Sequence, residues 1–456
     1  MKIAVLSSAS AGGAGIAAFR IYQALQASDH EVDFIDIRAL GEAVCQEVSP
    51  QISATNRKIT NTHFTVDHAT DTRDWLVDML SEYEVINVQW ASYLVSLSEI
   101  LALARLNKKI VFTMHDFYYI TGGCHYPAGC NGFLVDCAGC PQVSEKILSQ
   151  RGVINAQELK REIFSHPNVI LSAPSNFIVA NAIKAGIVPT ERARVIRNVY
   201  SPSSEFKPQL KSPEKSILLI ADSFDEQRKG LALAVDSLKL AAKILDLNKE
   251  AITLHLVGGL DAEVVKRLDG TGIQVITHGH ISDHDKLVDI FQKSHFILSC
   301  SYEDNWPNIL VEAGCYGCIP IVGRWHGCEE FVLEYNKGYI SDDYTPEAFS
   351  EVLSNALSNS ISDEEIKVCV ANIRRLCSGS EVVKDYESIF LSKFDGVKAQ
   401  LPLLNSTKVI DINRKFTAID SPFGPRWMLK SEVTLKELYV RERKSEHCYG
   451  ILDLRL

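Results

Sequence analysis

The chain has 456 residues, of which 46% are hydrophobic and 23% charged, as in globular domains. That length predicts two or three domains, because one ordinary hydrophobic core rarely serves so many residues. The formal net charge of −10 argues against a protein that coats nucleic acid, since neutralising phosphates requires a basic surface.

Segments for export or membrane insertion are not predicted. The apolar run at the start of the chain is about four residues long, whereas a signal peptide needs about 7–15. Elsewhere no stretch approaches the roughly 18 apolar residues of a membrane-spanning helix. We therefore expect a cytoplasmic protein, with contact at the inner face of a membrane as an open option.

The first half of the chain alternates predicted strands and helices. Lys2–Ser7 is predicted as a buried strand, followed by a loop of small residues (8–15) and a helix with apolar residues at helical spacing. Further strands are predicted at Glu31–Ile37, Val85–Gln89, Lys109–Met114 and Asn168–Ala173. Strands that alternate with helices indicate βαβ units and a parallel sheet.

The same alternation restarts at residue 216 and predicts a second α/β domain. The predicted strands are Ser216–Ala221, Ile252–Val257, Ile273–His278, Phe296–Cys300 and Ile319–Val322, with a helix at Gly230–Leu245. The predicted domains are 1–205 and 215–395, joined by a proline-containing linker at 206–214, and the helix Glu381–Phe394 is predicted to end the second domain. Residues 396–456 show no clean periodicity and are predicted to form a C-terminal extension. This extension either packs as a tail or docks on a membrane or partner through Trp427 and the basic residues of the extension.

The loop after the first strand is rich in glycine. Gly12 and Gly13 stand before a helix, where backbone amides and the helix dipole favour an anion such as phosphate. Residues 13–18 also fit the G-x-G-x-x-A fingerprint of dinucleotide binding, with Asp36 near the end of the second strand. An NAD(P)- or flavin-binding oxidoreductase is therefore one interpretation, and close packing of strand against helix is another.

Two cations precede the predicted helix of the second half. Arg228 and Lys229 either neutralise a pyrophosphate as it leaves or form a solvated charge pair at the start of a helix. The residues by themselves favour neither interpretation.

The most specific pattern is S-Y-E-D-N-W-P-N-I-L-V-E-A-G-C-Y-G-C-I-P-I-V-G-R-W-H-G-C-E-E, at residues 301–330. This segment resembles the donor-binding signature of glycosyltransferase family 4, the retaining enzymes of GT-B type. Its usual form is an E-x7-E frame followed by a G-x-P step and a closing acid. Asp304 and Glu312 occupy the frame, and Glu330 matches the closing acid. Gly317 and Pro320 are matched to the step, with two residues between them where the usual form has one.

The resemblance extends over about residues 1–395 and implies both a fold and a reaction. The implied fold is GT-B, with two Rossmann-like domains whose parallel sheets face a central cleft. The implied reaction is transfer of a hexose from UDP- or GDP-hexose to a saccharide or polyprenyl-linked saccharide, with retention of configuration and without a required cofactor. Surface-polysaccharide biosynthesis is the expected setting, and a non-catalytic binding or scaffold protein of the same fold is the remaining alternative.

Roles for individual residues follow from the same resemblance. Two cations are expected to bind the diphosphate. A carboxylate on a helix is expected to bind the ribose, and a carboxylate and a histidine are expected to bind the sugar. The expected catalytic residues are His115, Asp304, Arg228 and Lys229, and the expected donor-binding residues are Gly12, Gly13, Gly258, Asn305, Asn308 and Glu312.

Four of the twelve cysteines lie close together in a glycine-rich loop at 122–142. They are Cys124, Cys130, Cys137 and Cys140, with His125 as an alternative ligand. Four thiolates on short turns suit a structural zinc ion, which is one expectation. Two disulfides or unliganded thiols are the alternatives.

Overall fold

Two six-stranded sheets organise the chain, and within each sheet all neighbouring strands run parallel. The computed structural model describes residues 1–8, 10, 12–43, 52–53, 64–66, 72–92, 95–143, 147–212, 214–223, 227–245, 252–259, 262–392, 416–419 and 426–429. These residues separate into two units, Met1–Val199 together with the chain from Val382 onwards, and Tyr200–Glu381. The predicted α/β class with two Rossmann-like domains is confirmed.

The first unit is built around the sheet β2-β1-β5-β6-β7-β8. In chain order its elements are β1 (Lys2–Ser7), α1 (Gly12–Gln26), β2 (Glu31–Asp36), α2 (Ile37–Ala43), β3 (Ile52–Ser53), β4 (Thr65–Val66), α3 (Asp74–Ser81), β5 (Val85–Val88), α4 (Leu97–Arg105), β6 (Lys109–Thr113), α5 (Ile147–Ser165), β7 (Val169–Ala173), α6 (Asn176–Lys184) and β8 (Ala193–Val195). The two-residue strands β3 and β4 pair antiparallel outside this sheet.

Both faces of the first sheet are covered. Along β1, Ala4 and Leu6 pack into one hydrophobic cluster, whereas Ile3 and Val5 pack into another on the opposite face. Successive side chains of a strand point to opposite faces, so two clusters require a nearly continuous apolar strand. The central strands β5, β6 and β7 are accordingly buried throughout, as expected for a parallel sheet with helices on both sides.

The second unit has the sheet order β11-β10-β9-β12-β13-β14. Its elements are β9 (Ser216–Ser223), α7 (Leu231–Ile244), β10 (Ile252–Gly259), α8 (Ala262–Leu268), β11 (Ile273–Gly279), α9 (His284–Lys293), β12 (Phe296–Ser299), α10 (Asn308–Gly314), β13 (Ile319–Gly323), α11 (Gly327–Tyr335), β14 (Tyr339–Ser341), α12 (Pro346–Ser358), α13 (Asp363–Leu376) and the start of α14 (Gly379–Phe390). Numbered within the unit, this is the doubly wound order 3-2-1-4-5-6 of nucleotide-binding domains.

Most of α14 packs with the first unit. Val382, Tyr386 and Ile389 lie one helical turn apart and join the cluster that contains Ile3 and Val5. The predicted second domain runs to residue 395, whereas this packing places the helix from Val382 onwards with the first sheet. The apolar stripe predicts a buried helix, but its spacing alone carries no information on which sheet it covers.

Two short strands follow, β15 (Phe416–Ile419) and β16 (Arg426–Leu429), which pair antiparallel. The rest of the predicted extension 396–456 lies outside the described residues, so its docking role stays a prediction. Among the described helices, none combines the length and the apolar character needed to cross a bilayer.

Candidate active site

A small cavity opens at the carboxyl ends of β9 and β12, where the strand order of the second sheet changes direction. Its volume is about 20 Å³, and its lining includes Ile220, Ser299, Ser301, Lys229 and Asp304. In doubly wound sheets, ligands bind at the carboxyl ends of the strands beside such a switch point. The cavity therefore marks the candidate site of the second unit.

Asp304 is held between two cations at this cavity. Its Oδ2 accepts hydrogen bonds from Lys229 Nζ at 2.8 Å and from Arg228 Nη1 at 3.2 Å. Burial by itself raises the pKa of Asp304, but Lys229 and Arg228 outweigh it, so the pKa lies below its ordinary value. Three of the four predicted catalytic residues thus form one cluster, in which two cations contact a single carboxylate.

Backbone contacts join the loop that carries these cations to the loop that carries Asp304. Arg228 Nη1 donates to Glu303 O at 2.6 Å, and the backbone N–H of Tyr302 donates to Arg228 O at 2.8 Å. Gly230 follows with φ of +67°, and a Cβ at this position would lie 2.1 Å from Cys300 O. The close approach of the two loops therefore requires glycine at residue 230.

A second glycine packs against the other side of the loop that carries Asp304, called the Asp304 loop below. Gly327 begins α11, and its N–H donates to Asp304 O at 3.1 Å. A Cβ on Gly327 would lie 1.2 Å from Asn305 O, so no side chain fits there. Gly327 is thus required for the packing of this loop. Asn305, a predicted donor contact, lies within the loop and is 3% exposed.

The remaining predicted donor contacts of the second unit lie on neighbouring elements. Asn308 is the first residue of α10, and Glu312 follows one turn later on the same face, both partly exposed. Gly258 stands at the end of β10 with φ of +121°, where the pairing register with β9 shifts. These residues offer a carboxylate, an amide and a glycine near a strand end, at the carboxyl side of the sheet.

In the first unit, His115 follows β6, and its Nε2 lies 2.7 Å from Gln89 Oε1. Burial lowers the pKa of His115 to about 4, against a smaller opposite effect of Asp116. The imidazole is therefore neutral near pH 7. Gly12 and Gly13 open α1, and a Cβ on either would meet no atom within 4 Å, which leaves room for a ligand.

A comparison with protein families finds a match in the second half of the chain. Residues 203–374 match the model of the family described as "Glycosyl transferases group 1". This segment contains the Asp304 cluster, α10 and α11. This segment is similar to group 1 glycosyltransferases, and the fold of the chain is of GT-B type.

Individual relatives and solved structures agree with this assignment. The chain is 23% identical over 290 residues to WcaC of Escherichia coli K12, named as a colanic acid biosynthesis glycosyl transferase, covering 62% of this chain and 68% of WcaC. A glycosyltransferase structure from Rickettsia africae has a TM-score of 0.56 at 14% identity, covering 85% and 97% of the two chains. The Anabaena HepE structure with UDP and glucose has a TM-score of 0.50 at 16% identity, covering 85% and 98%. At these identities, the solved structures support the fold alone.

The four clustered cysteines of the first unit surround a cavity of about 10 Å³. None of these four described residues forms a disulfide bond. Cys137 Sγ accepts from the N–H of Gly122 at 3.2 Å, and Cys124 Sγ accepts from Gln142 Nε2 at 3.2 Å. Burial raises the pKa of Cys137, which keeps its thiol protonated.

The expectation of zinc is not supported. Across the part of the chain that the structure describes, no group of three or more histidine, cysteine, aspartate or glutamate side chains could hold a metal ion. His125, the alternative ligand, is engaged elsewhere: its Nδ1 lies 2.7 Å from Asp116 Oδ2, and its Nε2 lies 3.1 Å from Thr65 Oγ1. Both ring nitrogens therefore serve an internal network.

Sequence reasoning missed Gln89, the hydrogen-bond partner of His115. Gln89 directly follows β5 and is 1% exposed. A polar residue at the end of a buried parallel strand is the signal that could have identified it, since this edge of the sheet carries ligand sites. Asn87, a fully buried amide within β5, is a second such signal.

Proposed function

We propose that the protein transfers a hexose from UDP- or GDP-hexose to a saccharide acceptor, free or polyprenyl-linked, with retention of anomeric configuration. The observation that carries this proposal is the Asp304 cluster at the switch point of the second sheet, inside the family segment 203–374. The names of WcaC, a colanic acid biosynthesis protein, and of the HepE complex with UDP and glucose support a nucleotide-sugar donor and a polysaccharide product.

Lys229 is the cation that we assign to the diphosphate. Its side chain is 28% exposed beside the cavity, whereas that of Arg228 is 9% exposed and held by Glu303 O. Negative charge accumulates on the diphosphate as the bond to the sugar breaks, and a fixed cation stabilises that charge. Asp304 orients both cations, and its contact with the sugar stays a prediction.

Glu312 is assigned to the ribose hydroxyls and Asn308 to a neighbouring donor group. Both side chains are partly exposed on one face of α10, a short helix that follows the Asp304 loop. A carboxylate accepts two hydrogen bonds from adjacent hydroxyls, which suits the cis-diol of a ribose.

His115 is assigned to a substrate hydroxyl. Its neutral imidazole carries one donor and one acceptor nitrogen, and one of them is already bonded to Gln89. The other nitrogen is then available to orient a hydroxyl of the sugar. Gly12 and Gly13 are proposed as further donor contacts of the first unit.

Nucleotide binding tests the donor site. At about 100 times the dissociation constant, UDP or GDP should stabilise the purified full chain by about 2.7 kcal/mol, seen as a higher Tm. Glu312→Ala should abolish this shift, whereas Glu351→Ala, which removes an exposed glutamate from α12, should retain it. A shift with NAD alone, or with neither nucleotide, would contradict the proposal.

A further inference from the structure

Asn87 anchors a chain of buried side-chain amides in the first unit. Its Nδ2 donates to Val111 O at 2.9 Å and to Thr113 Oγ1 at 3.0 Å. A backbone carbonyl can only accept a hydrogen bond, so the NH₂ group of Asn87 must face Val111. The orientation of this amide is therefore determined by its partners, and Oδ1 faces Gln89.

The hydrogen bond to Asn87 determines the orientation of the Gln89 side-chain amide. Its Nε2 donates to Asn87 Oδ1 at 2.5 Å, which leaves Oε1 toward His115 Nε2 at 2.7 Å. An amide oxygen has lone pairs and no proton, so the proton of this last bond must belong to His115. All donors and acceptors along the chain are thereby assigned, starting from one backbone carbonyl.

We infer that Gln89 is a positioning residue that holds His115 in the tautomer with its proton on Nε2 and its lone pair on Nδ1. This inference deepens the proposed function, on which it rests, because Nδ1 becomes the atom that accepts a hydrogen bond from a substrate hydroxyl. The other tautomer would place two acceptors, His115 Nε2 and Gln89 Oε1, against each other in a buried setting.

The surrounding network resists a rearrangement of the amides. The hydroxyl of Tyr386, on α14, lies 2.8 Å from Thr113 Oγ1, which in turn lies 3.2 Å from Ser172 Oγ. Asn87 and Ser172 are fully buried, and Gln89 and Thr113 are each 1% exposed. Turning either amide would leave buried polar groups without a suitable partner, which is costly in a low-dielectric interior.

NMR spectroscopy observes the tautomer of His115 directly. Long-range ¹H–¹⁵N correlation spectra of the full chain with ¹⁵N-labelled histidine report which ring nitrogen carries the proton, and His115→Gln assigns the signal. We expect Nε2–H in the wild type and a loss of this single tautomer in Gln89→Met, which has similar size and no amide. Ser172→Ala removes a hydroxyl from the same buried network and should leave the tautomer unchanged.

Kinetics show whether the tautomer matters for transfer. We expect Gln89→Met to lower kcat at least about tenfold, since a catalytic histidine in the wrong tautomer is strongly impaired, with KM for the donor nearly unchanged. If Gln89→Met does not fold, Gln89→Leu replaces it, because leucine also lacks the amide and the same loss of the single tautomer is expected.

The outcomes separate this inference from the function on which it rests. A proton on Nδ1 in the wild type, or an unchanged tautomer in Gln89→Met or Gln89→Leu, would overturn the inference. So would wild-type kcat in Gln89→Met while His115→Gln is impaired. Unchanged kcat in His115→Gln would instead overturn the assigned role of His115, and the spectra would still decide the tautomer.

Discussion

At the scale of single residues, Asp304 forms ion pairs with two cations, Arg228 and Lys229, at a site that is largely shielded from water. Its side chain is 10% exposed and that of Arg228 is 9% exposed. Replacing one partner of a buried ion pair leaves the other charge uncompensated, which costs about 3 kcal/mol or more. We therefore expect Asp304→Asn to lower the free energy of unfolding by about 3 kcal/mol in urea titrations.

An exposed ion pair provides the control for this substitution. Asp289 pairs with Lys293 on the surface of α9, where its side chain is 56% exposed. Asp289→Asn should change the free energy of unfolding by only about 0.5 kcal/mol, because exposed pairs are screened by solvent. An equally small effect of Asp304→Asn would contradict the assignment of a buried charge cluster.

Gly327 gives a second prediction at this scale. A methyl group on Gly327 would collide with the backbone of Asn305 and Trp306, which no rotamer change can relieve. We expect Gly327→Ala to displace the Asp304 loop, lower stability by about 1–3 kcal/mol and weaken nucleotide binding. Thermal unfolding with and without UDP or GDP measures both effects.

Gly13→Ala is the matched stability control, since a Cβ at Gly13 would meet no atom within 4 Å. Its Tm should stay close to that of the wild type. If Gly327→Ala left both Tm and nucleotide binding unchanged, the tight packing of the loop would not be required for the site.

At the scale of elements, Lys109 attaches α14 to the first unit. Its Nζ donates to the carbonyl oxygens of Ile389 at 3.0 Å, Phe390 at 2.6 Å and Ser392 at 2.5 Å. Lys109→Met keeps the apolar stem but leaves these helix-end carbonyls without their donor, at a cost of about 1–3 kcal/mol. We expect faster hydrogen exchange at residues 382–390.

The neighbouring lysine is the control for this element. Lys108 is only partly buried, so Lys108→Met should leave exchange at residues 382–390 unchanged. Equal exchange rates in Lys109→Met and the wild type would mean that apolar packing alone holds α14 in place.

The elements differ in how far the sequence predicts them. All ten predicted strands are present with bounds within two residues, because apolar runs between loops are a strong signal for buried parallel strands. The three-residue edge strands β8 and β14 were missed, since so few residues show no periodicity. The packing of α14 against the first sheet was also missed, because a stripe of apolar residues does not specify its partner.

The candidate site was also predicted only in part. Arg228 and Lys229 were predicted as a pair and Asp304 from a distant segment, and the structure joins the three through hydrogen bonds beside one cavity. Their hydrogen bonds could not be predicted, because they depend on the approach of two loops at Gly230 and Gly327. The zinc expectation failed to gain support for a related reason: sequence proximity of thiols does not fix the geometry that a metal ion requires.

At the scale of the whole molecule, buried neutral histidines make stability depend on pH. Burial lowers the pKa of both His115 and His295 to about 4, whereas an unfolded histidine has a pKa near 6.5. Between these values the unfolded chain binds more protons, so the free energy of unfolding should fall as pH decreases from about 6.5 toward 4.

Urea titrations at several pH values measure this dependence. His295→Gln should reduce the slope below pH 6.5, and the region above pH 7.5 is an internal reference, because both histidines are neutral there in either state. An unchanged slope in His295→Gln would show that this histidine does not contribute to the loss of stability in acid.

Release of nucleoside diphosphate by the purified full chain tests the proposed reaction, using a panel of UDP- and GDP-hexoses with and without saccharide acceptors. We predict release of UDP or GDP from one class of donor, strongly reduced in Lys229→Met and Glu312→Ala and retained in Glu351→Ala. Release that is insensitive to Lys229→Met and Glu312→Ala, or no release from any donor by a folded protein, would contradict a hexosyl transfer at the Asp304 cluster.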